Sequence, residues 1–190
     1  DYLESLRREQ EGLLDLSFDT ICGYADHGAI VHYAATPESD VPLKPEGLLL
    51  VDSGGHYLEG TTDITRTFVL GPVTEEMKFH FTLVLKAVLN LKSTKFLYGC
   101  RGANLDIRAR EVLWEHGLDY KHGTGHGVGY VLNVHEGPNS FRWQNSATAK
   151  ECVFEEGMIT TDEPGIYIEG KYGIRLENEL VCHEGEKNEF

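Results

Sequence analysis

Four carboxylates in this chain fall into two matched pairs, each carried by a segment that reads as two strands around a short turn. The first segment is LLLVDSGGHYLEGTTDITRTFVL (48–70) and the second is TTDEPGIYIEGKYGIRLENELV (160–181). Residues directly opposite each other in an antiparallel hairpin have position numbers with a constant sum. Asp52 and Asp63 sum to 115, which centres the first turn between Tyr57 and Leu58. Glu163 and Glu177 sum to 340, which centres the second on Gly170, within Glu169-Gly170-Lys171. Each pair is then expected directly across its hairpin, on one face, with Cβ atoms about 4.5–5.5 Å apart. Like charges so placed destabilise a hairpin unless a cation lies between them.

Carboxylate oxygens with little nitrogen and no sulfur suit hard ions such as Mn²⁺ or Mg²⁺. The candidate fifth donor is His126, in HGTGHGVGYVLNVHEGP (122–138), where glycines at 123, 125, 127 and 129 let the backbone pass close to a neighbour. Those glycines also argue against helix, so His122 and His126 are not read as a helical HxxxH zinc pair. Two metals about 3.5–4 Å apart would lower the pKa of a shared water and polarise a substrate carbonyl, which is metal-assisted hydrolysis. Taken singly, each residue has an ordinary reading. Asp52 or Asp63 could sit at a strand edge, Glu163 before Pro164 could be a turn residue, and Glu177 could pair with Arg175 or Lys171. His135 alone reads as a satisfied core or surface histidine. Two opposed acidic pairs and a Gly-rich histidine cluster are hard to explain as independent accidents.

The remaining pattern is α+β, with helices packed on a curved antiparallel sheet. Residues 2–14 read as an amphipathic helix and GAIVHY (28–33) as a short strand. After Gly71-Pro72, Thr74 is a plausible N-cap for a helix to about Lys95, with Phe79, Leu83, Val84, Val88 and Leu91 at helical spacing. A second helix runs from about Asn104 to His116, ended by Gly117. Residues 140–150 read as a polar surface loop, followed by strands near 158–161, 165–168 and 172–182. The two similar hairpins suggest two related halves.

A chain of 190 residues, 41% hydrophobic and 25% charged, is one domain of ordinary size and composition. The net charge of -14 argues against nucleic acid, because phosphate binding needs basic patches. No apolar run is long enough to span a membrane. Cys22, Cys100, Cys152 and Cys182 are scattered and suggest neither a zinc knuckle nor a disulfide framework, which fits a reducing, cytoplasmic setting. The chain begins at Asp1 rather than Met and is expected to be a piece of a longer protein.

From Ser17 (SFDTICGYADHGAIVHY) to Cys182 the chain resembles the pita-bread metallopeptidases, a group that includes aminopeptidase P, prolidase and methionine aminopeptidase. The resemblance rests on VDSGGHYLEGTTDITRTF, HGTGHGVG…LNVHEGP and DEPGIY…GIRLENELV, and is strongest to aminopeptidase P of the larger, multi-domain cytosolic kind. It implies a pita-bread fold and cleavage between an N-terminal residue and a following proline. It implies two divalent ions, Mn²⁺ foremost with Zn²⁺ or Co²⁺ as alternatives, on Asp52, Asp63, His126, Glu163 and Glu177. Further roles follow from it. His32 would stand at the substrate's amino end, and His122, Tyr167 and Arg175 would line the proline pocket. His135 would hydrogen-bond the scissile carbonyl, and Glu163 would double as proton shuttle. The resemblance also implies N-terminal creatinase-type domains and a C-terminal tail beyond this chain, and a homo-oligomeric full-length protein. Prolidase activity on Xaa-Pro dipeptides is the nearest alternative. A non-catalytic, protein-binding member of the fold is another, disfavoured because all five donors are present.

Overall fold

The structure is a computed structural model and describes residues 2–144 and 152–189. In chain order its first half comprises α1 (Tyr2–Arg8), β1 (Leu13–Leu16), β2 (Ile21–Tyr24), β3 (Leu48–Ser53), β4 (Gly55–Tyr57), β5 (Gly60–Thr61) and β6 (Ile64–Val69). Helices α2 (Glu75–Lys92), α3 (Gly102–Leu105) and α4 (Ile107–Trp114) follow. Strands β7 (Gly125–Val128), β8 (His135–Phe141), β9 (Ile159–Asp162), β10 (Gly165–Ile168), β11 (Tyr172–Arg175) and β12 (Asn178–Val181) complete it. The strands form sheets β2-β3-β6, β1-β4-β5 and β12-β9-β7-β8 and the hairpin β10-β11, with antiparallel pairing throughout.

Helix α2 begins as the sequence suggests, with the Thr74 hydroxyl accepting the Met77 N–H, one of the otherwise orphaned first-turn donors. Leu83, Val84, Val88 and Leu91 face the core, joined by Ala87 and by residues of α4 and the sheets such as Leu113, Ile166 and Ile174. Phe79 does not belong to this stripe. It is 46% exposed and lies edge-on to His116. The second helix is broken at Asp106 into α3 and α4, and Gly117 takes the positive φ of 68° that follows its end.

Three sequence expectations fail here. The first helix stops at Arg8 because Gly12 turns the chain with φ 78°, and Leu13–Leu16 is captured as a strand by β4. The strand expected at 28–33 is instead a 3₁₀ turn at Ala25–Ala29 followed by irregular chain. Its backbone is pressed against β11, since a Cβ on Gly173 would stand 1.7 Å from the Gly28 carbonyl oxygen, and only glycine permits that approach. The loop expected at 140–150 begins later, because Ser140 and Phe141 end β8 and Phe141 is in the core. Positions 145–150 of that loop lie outside the described residues.

Candidate metal centre

Strand β3 delivers the first acid by alternation. Leu48, Leu50 and Asp52 share one face, so the face that buries two core leucines ends on a carboxylate. Asp52 is paired with Thr65, not with Asp63, and the register sum of this hairpin is 117 rather than 115. The turn is Leu58-Glu59, closed by the Tyr57 and Gly60 pair, one residue later than the spacing suggests. Asp63 is therefore the diagonal neighbour of Asp52. A slip of two in the sum keeps every side chain on its face, where a slip of one would have reversed it. Asp63 is buried beside Asp52, and carboxylate oxygens of Asp52, Asp63 and Glu177 lie within 4.8 Å of one another.

The second hairpin has the expected register. Gly165 pairs with Arg175 and Asp162 with Asn178, which brackets Glu163 and Glu177 at the sum of 340. Threonines stitch the two hairpins together. The Thr65 hydroxyl donates to Glu177 Oε2 at 2.7 Å and accepts from Arg175 Nε at 3.1 Å, and the Thr67 hydroxyl donates to the Arg175 carbonyl at 2.9 Å. Thr161 Oγ1 lies 3.1 Å from Glu163 Oε1 and accepts the His126 N–H at 2.9 Å. These threonines have no sequence signature, since threonine is an ordinary strand residue.

His126 Nδ1 donates to the Gly127 carbonyl at 2.9 Å, because a carbonyl can only accept. In the neutral ring that leaves a lone pair on Nε2, which lies 3.3 Å from Asp63 Oδ2 and 3.4 Å from Glu163 Oε1. A lone pair aimed at two carboxylates calls for a proton or a cation between them, and a histidine anchored through its far nitrogen is typical of metal ligands. Donor atoms of His126, Glu163 and Glu177 lie within 4.8 Å of one another, as do those of Asp63, His126 and His135. Asp52 Oδ1 is buried with no hydrogen-bond partner among the described residues. All five candidate donors thus converge, and the set fits hard divalent cations.

The electrostatics agree with the donor set. Burial, then nearby like charge, holds the Asp52 carboxyl above its ordinary range despite Arg175. Burial and the charges of Glu163, Asp63 and Asp52 raise Glu177 strongly, and burial pushes Glu163 up to about 7. Burial disfavours charge on His126, but the hydrogen bond to Asp63 and the charge of Glu163 outweigh it and raise its pKa. Two further acids sit beside the site. Asp162 is fully buried with both oxygens unpartnered among the described residues, and burial pushes it up to about 8. Burial, with the nearby charge of Asp63, pushes Glu179 up to about 7.

A hydrogen-bonded row leads away from Asp52. Arg175 Nη2 donates to Asp52 Oδ2 at 2.8 Å and Nη1 donates to the Tyr167 oxygen at 2.9 Å. Tyr167 in turn donates to His122 Nε2 at 2.9 Å, because His122 Nδ1 is occupied in donating to the Gly123 carbonyl at 2.7 Å. Burial lowers His122 to about 4, so its ring is neutral near pH 7. The guanidinium of Arg175 is engaged by protein partners on all three nitrogens and is 1% exposed.

The donors open onto a cavity of about 290 Å³. His135, Val134 and residues 18–21 and 31–34 line it as well, the exposed His32 among them. Arg175 reaches the cavity, whereas His122 and Tyr167 stand behind it and are not on its wall. The ring of His135 meets that of His126 edge-on at 4.0 Å. No site role was expected from the sequence for residues 18–21 of that lining.

Known proteins resemble this chain closely. The model of metallopeptidase family M24 matches residues 1–184. A probable Xaa-Pro aminopeptidase P of Aspergillus flavus is 46% identical over 184 residues, covering 97% of this chain and 28% of its own length. Aminopeptidase P1 of Arabidopsis thaliana is 46% identical over 186 residues, covering 98% of this chain and again 28% of its own. The crystal structure of X-prolyl aminopeptidase from Caenorhabditis elegans, described as a cytosolic enzyme with a di-nuclear active site, superposes with a TM-score of 0.87 at 42% identity over 93% of this chain and 28% of that one. Prolidase from Pyrococcus furiosus superposes with a TM-score of 0.81 at 32% identity over 96% and 50%. The chain thus spans under a third of the curated relatives it matches, and within that span it belongs to metallopeptidase family M24 and has that family's pita-bread fold.

Proposed function

We propose that the protein is a dimetal Xaa-Pro aminopeptidase, hydrolysing the bond between an N-terminal residue and a following proline. The convergence of Asp52, Asp63, His126, Glu163 and Glu177 on the lining of one cavity carries this reading. The names of the relatives at 46% identity support the proline specificity. The preponderance of carboxylate oxygen favours Mn²⁺ among the candidate metals, with Zn²⁺ or Co²⁺ as alternatives. Two such ions would lower the pKa of a water and polarise the scissile carbonyl.

The chain's own groups do the rest. Glu163, braced by the Thr161 hydroxyl, takes a proton from the attacking water and passes it to the leaving proline nitrogen. His135 donates a hydrogen bond to the carbonyl oxygen as negative charge builds there. His32, also on the cavity lining, meets the substrate's amino end. Arg175 forms the proline side of the site, backed by Tyr167 and the neutral His122, with the row from Asp52 fixing their orientation. Peptides with proline second are the substrates, and the full-length protein works as a homo-oligomer. A cytosolic setting is supported by the description of the nematode relative and by the four free cysteines. No helix among the described residues is long and apolar enough to cross a membrane.

The deciding assay uses the full-length protein, stripped with chelator and reloaded with Mn²⁺, on Xaa-Pro-Xaa peptides and Xaa-Pro dipeptides. Release of the first residue from the longer peptides is expected. Cleavage of dipeptides alone would replace the reading with prolidase. No hydrolysis with any of the three metals would leave the non-catalytic, protein-binding alternative.

A further inference from the structure

We propose that Arg110 and Asp106 are positioning residues for the proline side of the cleft, holding His122 and Glu163 in register from the helical layer. The inference rests on the reading above that His122 contributes to that pocket. Residues 118–124 belong to no helix or strand, so no ladder of backbone hydrogen bonds sets their path. Their path is set instead by one guanidinium and one carboxylate, which are 1% and 0% exposed. Arg110 Nη1 donates to the Tyr120 carbonyl at 2.6 Å and to Asp119 Oδ1 at 2.8 Å, and Nη2 donates to the His122 carbonyl at 2.8 Å. Its Nε donates to Asp106 Oδ2 at 2.7 Å, and its guanidinium carbon lies 4.0 Å from the centre of the Tyr120 ring. The other Asp106 oxygen accepts the Thr124 hydroxyl at 2.6 Å, and the Thr124 carbonyl accepts the Glu163 N–H at 2.8 Å.

One ion pair therefore grips the segment at residues 119, 120, 122 and 124. It controls the backbone at His122 directly and that of Glu163 through a single intervening residue. An ion pair this deeply buried is a poor source of stability, because desolvation offsets most of its Coulombic gain. What it supplies is geometry: a planar fork with fixed donor directions that an ammonium cannot copy. The Tyr120 ring it carries also lies 4.9 Å from the His122 ring, so the clamp touches the histidine through backbone and ring alike.

The test uses the full-length protein and asks for a readout that a merely structural role would not move. Arg110→Lys keeps the charge and loses the fork, while Asp119→Asn weakens one arm that is 44% exposed. Arg110→Lys should lower the preference for Xaa-Pro over Xaa-Ala peptides by about tenfold, mainly through KM, as a modest misplacement of a binding group does. Asp119→Asn should do the same more weakly and decides the matter if Arg110→Lys does not fold. In a His122→Ala background neither variant should erode the preference further. Unchanged preference with a lowered melting temperature overturns the proposal, and so do effects that multiply with His122→Ala. If the wild-type protein cleaves neither peptide class, the functional reading has failed, and the imidazole NMR signals of His122 decide the inference separately. They should move in Arg110→Lys or Asp119→Asn while those of His80 stay in place. Unmoved His122 signals refute the clamp.

Discussion

At the scale of single residues, chemically similar histidines around the cavity differ in what their two nitrogens face. His122 has one nitrogen on a carbonyl and the other on Tyr167, so neither is free for proton transfer. Its effect on catalysis should then be one of shape, felt alike by bound substrate and transition state. His122→Ala is expected to raise KM and erode the preference for proline over alanine at the second position. His135 lies on the cavity wall with its ring against that of His126, and its proposed role at the developing oxyanion predicts a different profile. His135→Ala should lower kcat by about 10²–10³ with little change in KM, the usual cost of losing one such donor. Steady-state kinetics of both variants on one Xaa-Pro peptide and its Xaa-Ala counterpart check this, and identical profiles would show the two roles to be wrongly divided. The buried ring of His122 also makes a pH prediction. Its folded pKa of about 4 lies below the unfolded value of about 6.5, so the unfolded state binds the extra proton in that window. The stability it contributes is full above about pH 6.5 and is lost as pH falls through about 4. An NMR titration in which the His122 ring protonates near pH 6 would contradict it.

Among the elements, what was legible in the sequence depended on whether local pattern or distant contact decides the outcome. The second hairpin could be read to the residue because Glu169-Gly170-Lys171 places a glycine where the turn needs a positive φ, here 69°. The first hairpin was misjudged by one residue at its turn, since Leu58-Glu59 carries no comparable signal. Its site survived the error because a sum wrong by two preserves the face. Helix α2 was legible from Thr74 and its apolar stripe. The strand β1 and the 3₁₀ turn at Ala25–Ala29 were not, because each is set by packing against chain 39 or more residues away. The threonine stitching was invisible for the same reason, and the Arg110 clamp because its partners, 9 to 12 residues on, lie in chain without helical or strand periodicity. The glycines of the histidine cluster were legible as close approaches, and β7 shows what they approach. A Cβ on Gly125 would stand 1.7 Å from the Thr161 carbonyl oxygen. Gly125→Ala should push β7 away from β9 and carry His126 out of reach of Glu163, at a cost of at least about 1–3 kcal/mol. Bound metal measured by mass spectrometry should fall although no donor has been changed. A variant that keeps full metal content would show that the strand can shift without disturbing the centre.

For the whole molecule, the centre is a concentration of like charge that the fold tolerates at a cost. Asp52, Asp63, Glu163 and Glu177 converge, with Asp52 bonded to the buried guanidinium of Arg175, within a chain whose net charge is already -14. Raised carboxyl pKa values on Asp52, Glu163 and Glu177 are the signature of that cost in the metal-free protein. Cations that bind only the folded state then stabilise it by mass action, by about 2.7 kcal/mol at a free metal concentration one hundred times Kd. For a domain of this size each kcal/mol corresponds to roughly 2–4 °C, so chelation should lower the melting temperature by roughly 5–10 °C. Asp63→Asn separates repulsion from any other role of that residue. The variant should lose metal and activity, its melting temperature should not respond to chelator, and in chelator it should be no less stable than the wild type, because one of the clustered charges is gone. Differential scanning calorimetry of both proteins, with and without chelator, measures all of these at once. A wild-type melting temperature indifferent to chelator would mean that the carboxylates are held together without a cation. An Asp63→Asn protein much less stable than the wild type under chelation would mean that Asp63 holds the turn rather than the metal.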